Sequence, residues 1–126
     1  MDTSVIIDLE HIESSDLPQE VAISTITLAE LAAGPHAVTN ADERGRRQDR
    51  LQRTEAAFDP IPFDADAARA YGRVFSAITA AGRKPRGAGA VDLIIAATAL
   101  SAELPIYTRN RNDYAGLDNL IEVIAI

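Results

Sequence analysis

Short apolar runs alternating with helical segments predict an α/β fold, a short and mostly parallel sheet flanked by helices. The size and composition of the chain agree. Its 126 residues suffice for one domain, 1–126, with a real core. An apolar fraction of 47% with 25% charged residues is ordinary for a globular protein. No apolar stretch approaches the roughly 20 residues of a membrane span, and the first apolar run, Val5–Ile7, is broken by Asp8 and Glu10, unlike a signal peptide.

The elements follow from local chemistry. Residues 4–12 read as a short helix entered from Asp2-Thr3-Ser4, and Val21–Ser24 as a short β-rich run. Thr25–Ala33 reads as a helix stopped by Gly34-Pro35. Ala41–Phe58 is polar and Arg-rich, with sparse apolar positions, so it belongs on the outside. Ile61–Phe63 is a short strand. Asp64 suits the N-cap of a helix over Ala65–Ala81, with Gly82 at its end. GRKPRGAGA (82–90) is a loop, and Val91–Ala102 is a helix apolar on nearly every face, hence buried. Pro105–Thr108 and Ile121–Ile126 are strands separated by a polar turn.

The net charge is −7, opposite in sign to most nucleic-acid binders, but the charges are segregated. From Asp2 to Glu30, both included, there are seven acids and no Lys or Arg. Arginines then cluster at 44, 46, 47, 50 and 53, with further basic groups at Arg83, Lys84 and Arg86 and at Arg109 and Arg111. These could bind phosphate; for Arg44–Arg53 a solvated helix face is the plainer reading. Cysteine is absent, which removes disulfides, thiolate zinc sites and a cysteine nucleophile and makes the cytoplasm the default compartment.

Four carboxylates stand in or beside apolar runs: Asp2 in MDTSV, Glu30 in TLAEL, Asp92 in AVDLIIAATAL and Asp113 in YTRNRNDY. Acids converging from distant segments make an oxygen-only site for a hard cation, Mg²⁺ or Mn²⁺, suited to phosphodiester chemistry. Each has a plainer role as well. Asp2 can cap a helix. Glu30 can be solvated, although its neighbours Ile26, Leu28 and Leu31 give it little polar company. Asp92 can simply favour the helix dipole, but Ala96 and Ala99 on its face leave room for a close approach. Asp113, in the run from Thr108 to Asn112, can belong to an ordinary turn; Asn110 there could orient water or bind directly.

Other chemistries lack their residues. His11 and His36 have no zinc-ligand spacing. There is no P-loop, dinucleotide fingerprint or nucleophile elbow. With no Trp, three Phe and three Tyr, a base-stacking platform is not expected.

Taken together, DTSVIIDLE, ITLAELAAG, AVDLIIAATAL and IYTRNRNDYAGL, in this order and spacing, resemble the PIN-domain ribonucleases, specifically the VapC-type toxins of bacterial type II toxin–antitoxin modules. The resemblance spans nearly the whole chain. It implies a three-layer α/β/α PIN-like fold and matches Asp2, Glu30, Asp92 and Asp113 to the family's acidic quartet, and Ser4, Thr108 and Asn110 to residues lining the same pocket. It further implies a Mg²⁺- or Mn²⁺-dependent endoribonuclease in which metal-activated water cuts transfer or ribosomal RNA. Arg83, Lys84, Arg86, Arg109 and Arg111 would position the RNA backbone. The implied partners are a VapB-type antitoxin whose tail covers the acids, by placing an Arg among them, and a second toxin copy; Ile12 and Leu31 are candidate contact points. One departure stands out. Such proteins carry an apolar strand before the DTS, and here only Met1 precedes Asp2.

A catalytically degraded PIN-like module that only docks RNA or protein is the competing expectation. A phosphatase or receiver-like domain is disfavoured by the lack of a D-x-D pattern around Asp2 and by the single Lys84.

Overall fold

The computed structural model describes residues 1–84 and 87–126. Helices α1 (Thr3–Ile7), α2 (Thr25–Ala33), α3 (Ala41–Ala57), α4 (Ala65–Ala80) and α5 (Ala88–Ser101) precede strand β1 (Ile106–Thr108) and strand β2 (Val123–Ala125). Tight 3₁₀ turns occupy Leu9–His11, Ser14–Asp16, Gly34–Ala37 and Arg111–Tyr114.

The strands β1 and β2 run parallel, in register Ile106 to Val123 and Thr108 to Ala125. Two more expected strands are reduced to one parallel bridge between Ser24 and Ile61. The N-terminus joins these two pieces of sheet. The ammonium of Met1 donates to the Ala22 carbonyl at 2.7 Å, and the amide of Asp2 donates to the Tyr107 carbonyl at 3.0 Å. A parallel ladder becomes regular only when each strand has neighbours over several residues. Met1 and Asp2 supply one backbone hydrogen bond each, and 21–24 and 61–63 are not regular strands.

The helices mostly match their local signals. α4 begins where Asp64 accepts a hydrogen bond from the Ala67 amide at 3.0 Å. It buries Ala67, Ala70, Val74 and Ile78, one stripe at helical spacing. The expected helix over 4–12 breaks after Ile7, because Val5, Ile6 and Ile7 are β-branched and support only a short helix. α5 starts three residues earlier than the apolar run suggests, at Ala88, after Gly87 with φ +50 turns the chain. The Gly34-Pro35 stop becomes a 3₁₀ turn, with Pro35 at a position whose missing N–H costs nothing.

Two apolar clusters hold these parts together. The larger joins α4 and α5 to the strands through Val74, Ile78, Leu93, Ala96, Ile106 and Val123, and includes Tyr114 and Leu117. Full burial of side chains such as Ile78 is worth roughly 1.5–3 kcal/mol each. The smaller cluster contains Ile6, Ile23 and Leu31, with Met1, Leu51 and Phe58 packed against it. Leu31 is thus a core residue, 5% exposed, and not the contact point expected of it; Ile12 is half-buried. Apolar residues on an amphipathic helix of a small protein are more often its packing face than an interface. No helix among the described residues is long and apolar enough to cross a membrane.

Candidate active site

Asp2 is 3% exposed and both its carboxylate oxygens are engaged. Oδ1 accepts from the Ser4 hydroxyl at 2.6 Å and, more distantly, from the Val5 amide at 3.4 Å. Oδ2 accepts from the Thr108 hydroxyl at 2.6 Å and the Tyr114 hydroxyl at 2.9 Å. The helix cap and the site therefore use the same side chain, and the capping contact is the longest of the four. The hydroxyls are themselves oriented by backbone: Ser4 Oγ accepts from the Arg109 amide at 3.0 Å and Thr108 Oγ1 from the Asn110 amide at 3.1 Å. The loop leaving β1 thus feeds two amides into two hydroxyls that both point at Asp2.

Asp92 stands near the start of α5, half-buried. Its carboxyl is pushed up to about 7, first by burial and then by the negative charges of Asp113, Asp2 and Glu30, with Arg83 pulling the other way. Four acids from four separated segments consequently act on one region of space.

Glu30 occupies an exposed position on α2 and accepts from the Thr3 hydroxyl. The expectation that it lies in apolar surroundings is therefore corrected. Ile26 and Leu28 are only half-buried and Leu31 points into the core, so the helix turns Glu30 toward water. Asp113 is half-buried, and its Oδ1 accepts from the Asn110 side-chain amide at 3.1 Å. Asn110 itself is exposed and caps the Arg111–Tyr114 turn through the Asn112 amide at 3.2 Å. Of these two, Asp113 is the one whose charge reaches Asp92.

The basic residues divide. Arg83 donates to the Ala115 carbonyl at 2.6 Å while its charge is felt at Asp92. Arg109 is tied to Asp8 at 3.3 Å and to the Ile126 carbonyl at 2.7 Å. Arg111 lies 3.7 Å from Asp118, both well exposed, and Lys84 is exposed. Arg86 lies outside the described residues. In α3, Arg44 and Arg47 hold the 34–38 turn through the carbonyls of Pro35, Val38 and Gly34, and Arg46 and Arg53 pair within the helix. Arg44, Arg46 and Arg53 lie on an exposed helix face, and Arg44 and Arg47 also tie the turn.

Sequence reasoning missed Tyr114, Thr3 and Thr27. Tyr114 is 1% exposed, and its phenol is pushed far up by burial and by the charges of Asp2 and Asp92, so it remains a donor. Thr27, fully buried, lies 3.1 Å from the Thr3 hydroxyl behind Glu30. Nothing in the sequence separates Tyr114 from the other tyrosines except that it follows Asp113.

As a candidate metal centre the region is all oxygen, which fits a hard cation, and the repulsion of Asp113, Asp2 and Glu30 on Asp92 is what a cation would relieve. Among the described residues, no three acidic or histidine side chains are arranged to hold an ion directly. A cation that keeps much of its water, as Mg²⁺ does, needs few direct protein ligands.

Comparison with known proteins agrees with this arrangement. The PIN-domain family model matches residues 1–118. Ribonuclease VapC5 of Mycobacterium tuberculosis is 36% identical over 131 aligned positions, covering 100% of this chain and 93% of its own. Ribonuclease VapC of Rickettsia bellii is 29% identical over 100% of this chain and 94% of its own. The crystal structure of VapBC-5 from M. tuberculosis, a member of the VapBC family of toxin–antitoxin systems, superposes with a TM-score of 0.87 over 99% of this chain and 95% of that one. The chain belongs to the PIN-domain family, among its VapC-type members.

Proposed function

We propose that this protein is a metal-dependent endoribonuclease and the toxin of a toxin–antitoxin pair. The observation that carries the reading is Asp92, half-buried with the charges of Asp113, Asp2 and Glu30 bearing on it, so that burial first and those charges second bring its carboxyl up to about 7. Relatives named as ribonucleases support the nuclease class.

Asp2 and Asp92 would hold a Mg²⁺ or Mn²⁺ ion, with Glu30 and Asp113 completing its shell through water. Such an ion supplies Lewis acidity at the scissile phosphate and a bound water of lowered pKa. The chain's own residues contribute placement. Ser4 and Thr108 hold Asp2, Asn110 holds Asp113, and Thr3 holds Glu30. Arg83, beside the acids, is suited to a phosphate of the RNA backbone, while Arg109 acts chiefly as an internal tie. Transfer and ribosomal RNA are the proposed targets.

The experiment is cleavage of total cellular RNA with Mg²⁺ or Mn²⁺, run beside EDTA and beside Asp92→Asn. Discrete fragments absent from both controls are expected. Cleavage that survives Asp92→Asn would show that the site is wrong.

The proposed partner is an antitoxin whose tail covers the acids, supported by the VapBC-5 complex. A groove of about 450 Å³ between α1 and α3 offers a place for it: Ile6, Ile7, Leu9 and Phe58 line it, with Ile7 45% and Leu9 38% exposed. A second groove sharing Ile7 and Arg50 continues from there to Thr3 and Glu30, at the acids. A homodimer completes the reading, and sedimentation of the purified protein tests it.

One observation favours a second reading, a module that binds without cleaving. Asp2 already has four donors, and a carboxylate so satisfied has less need of a cation. Metal-independent RNA binding without cleavage would support it.

A further inference from the structure

Tyr114 lies outside the four acids and the three polar residues assigned to the site, yet its buried hydroxyl is one of the four donors on Asp2. The two oxygens of Asp2 are served unequally. Oδ2 is capped by two hydroxyls from nearly unexposed residues, Thr108 at 2.6 Å and Tyr114 at 2.9 Å. Oδ1 has one strong donor, the half-buried Ser4 at 2.6 Å, and a weak one, the Val5 amide at 3.4 Å. An ionised carboxylate offers about four lone-pair positions. Both of those on Oδ2 are filled with good geometry, and one of those on Oδ1 is filled poorly.

We propose that Tyr114 is a positioning residue: with Thr108 it saturates Oδ2 of Asp2 and so leaves Oδ1 as the oxygen that faces an incoming cation. The ring is packed in the larger core cluster among residues of α4, α5 and the strands, and this packing aims its hydroxyl. Thr108 alone could not saturate Oδ2. Its bond leaves the second lone pair of Oδ2 open, and the carboxylate could then turn either oxygen to an ion. The role rests on the metal reading of the proposed function.

The test is Mn²⁺ affinity, followed by electron paramagnetic resonance, of the unmodified protein, Tyr114→Phe, Asp2→Asn and the double variant. A thermal melt of each in EDTA checks folding. Partners that orient a metal ligand typically change affinity 10- to 100-fold when removed, so Tyr114→Phe should bind about tenfold more weakly. In the Asp2→Asn background the same change should do nothing further, since Tyr114 acts through Asp2. A purely packing role would lower the melting temperature and leave the affinity alone. Equal affinity in Tyr114→Phe, or an equal loss with and without Asp2, overturns the proposal. Should Tyr114→Phe not fold, the unmodified protein still decides. With tyrosine labelled by ¹³C at Cζ, the Tyr114 resonance should shift on adding Mg²⁺, and an unmoved resonance overturns the proposal. If the unmodified protein binds no Mn²⁺, the metal reading falls along with it, an outcome distinct from the loss of Tyr114's role alone.

Discussion

The amide of Asp2 donates to the carbonyl of Tyr107 at 3.0 Å, so the first acid of the site is fixed to strand β1 by its backbone as well as by its side chain. One residue earlier, the Met1 ammonium is tied to Ala22 and loses proton affinity through burial. A charged terminus is a poor group to bury. Beneath it lies a small cavity lined by Ile23, Ile61, Ile95, Leu104 and Ile106.

The Asp92 carboxyl sets a pH dependence of stability. Its pKa rises from the ordinary 3.8 to about 7 on folding. The folded state thus holds the proton more tightly than the unfolded chain. The associated stability is fully present below about pH 4 and is lost as pH rises through 7. In EDTA, Asp92→Asn should melt above the unmodified protein at pH 8, and the gap should shrink toward pH 5. Millimolar Mg²⁺ should raise the melting point of the unmodified protein at pH 8 far more than that of the variant. A gap independent of pH would show that Asp92 does not carry the repulsion of the cluster.

Much of this was legible in the sequence because it is local. Thr25–Ala33 is a helix with the expected bounds, and Asp64 caps α4 as its chemistry predicts. The run around Asp92 buries Leu93, Ile95, Ala96, Ala97 and Thr98 and leaves its other residues from Val91 to Ser101 half-buried, as a helix apolar on nearly every face should. What escaped depends on distant segments. Whether Glu30 faces water or core turns on the rotation of α2 about Leu31, which its low amphipathicity does not fix. The sheet fell short at 21–24 and 61–63 because pairing is set by neighbours far along the chain. Tyr114 meets Asp2 across 112 positions, and no local pattern announces such a contact.

The groove between α1 and α3 should be the docking surface of the partner. Ile7 and Leu9 are exposed on its apolar wall, and Arg50, which has no ion-pair partner among the described residues, stands where the groove continues toward Glu30. An apolar segment carrying an acid opposite Arg50 fits that chemistry. Ile7→Glu and Leu9→Glu should each weaken binding of the cognate antitoxin by roughly tenfold or more, as loss of a buried apolar anchor does, and leave Tm within about 2 °C. Titration calorimetry gives the affinity. Normal binding by both variants would place the partner elsewhere.

Thr108→Val tests the hydroxyl relay itself. Valine keeps the shape of a residue that is fully buried, but it removes two hydrogen bonds at once: Asp2 Oδ2 loses the shorter of its two and the Asn110 amide loses its acceptor. A hydrogen bond to a charged group contributes about 1.5–3 kcal/mol, so a clear fall in Tm is expected. RNA cleavage should fall at least tenfold more, because Asp2 is then held on Oδ2 by Tyr114 alone and the loop carrying Asn110 and Asp113 is no longer tied to it. Thr108→Ser restores donor and acceptor without the methyl group. It should recover most of the cleavage while recovering less of the stability, since a buried methyl is still missing. Cleavage that follows Tm in both variants would mean that Thr108 serves the fold and not the site.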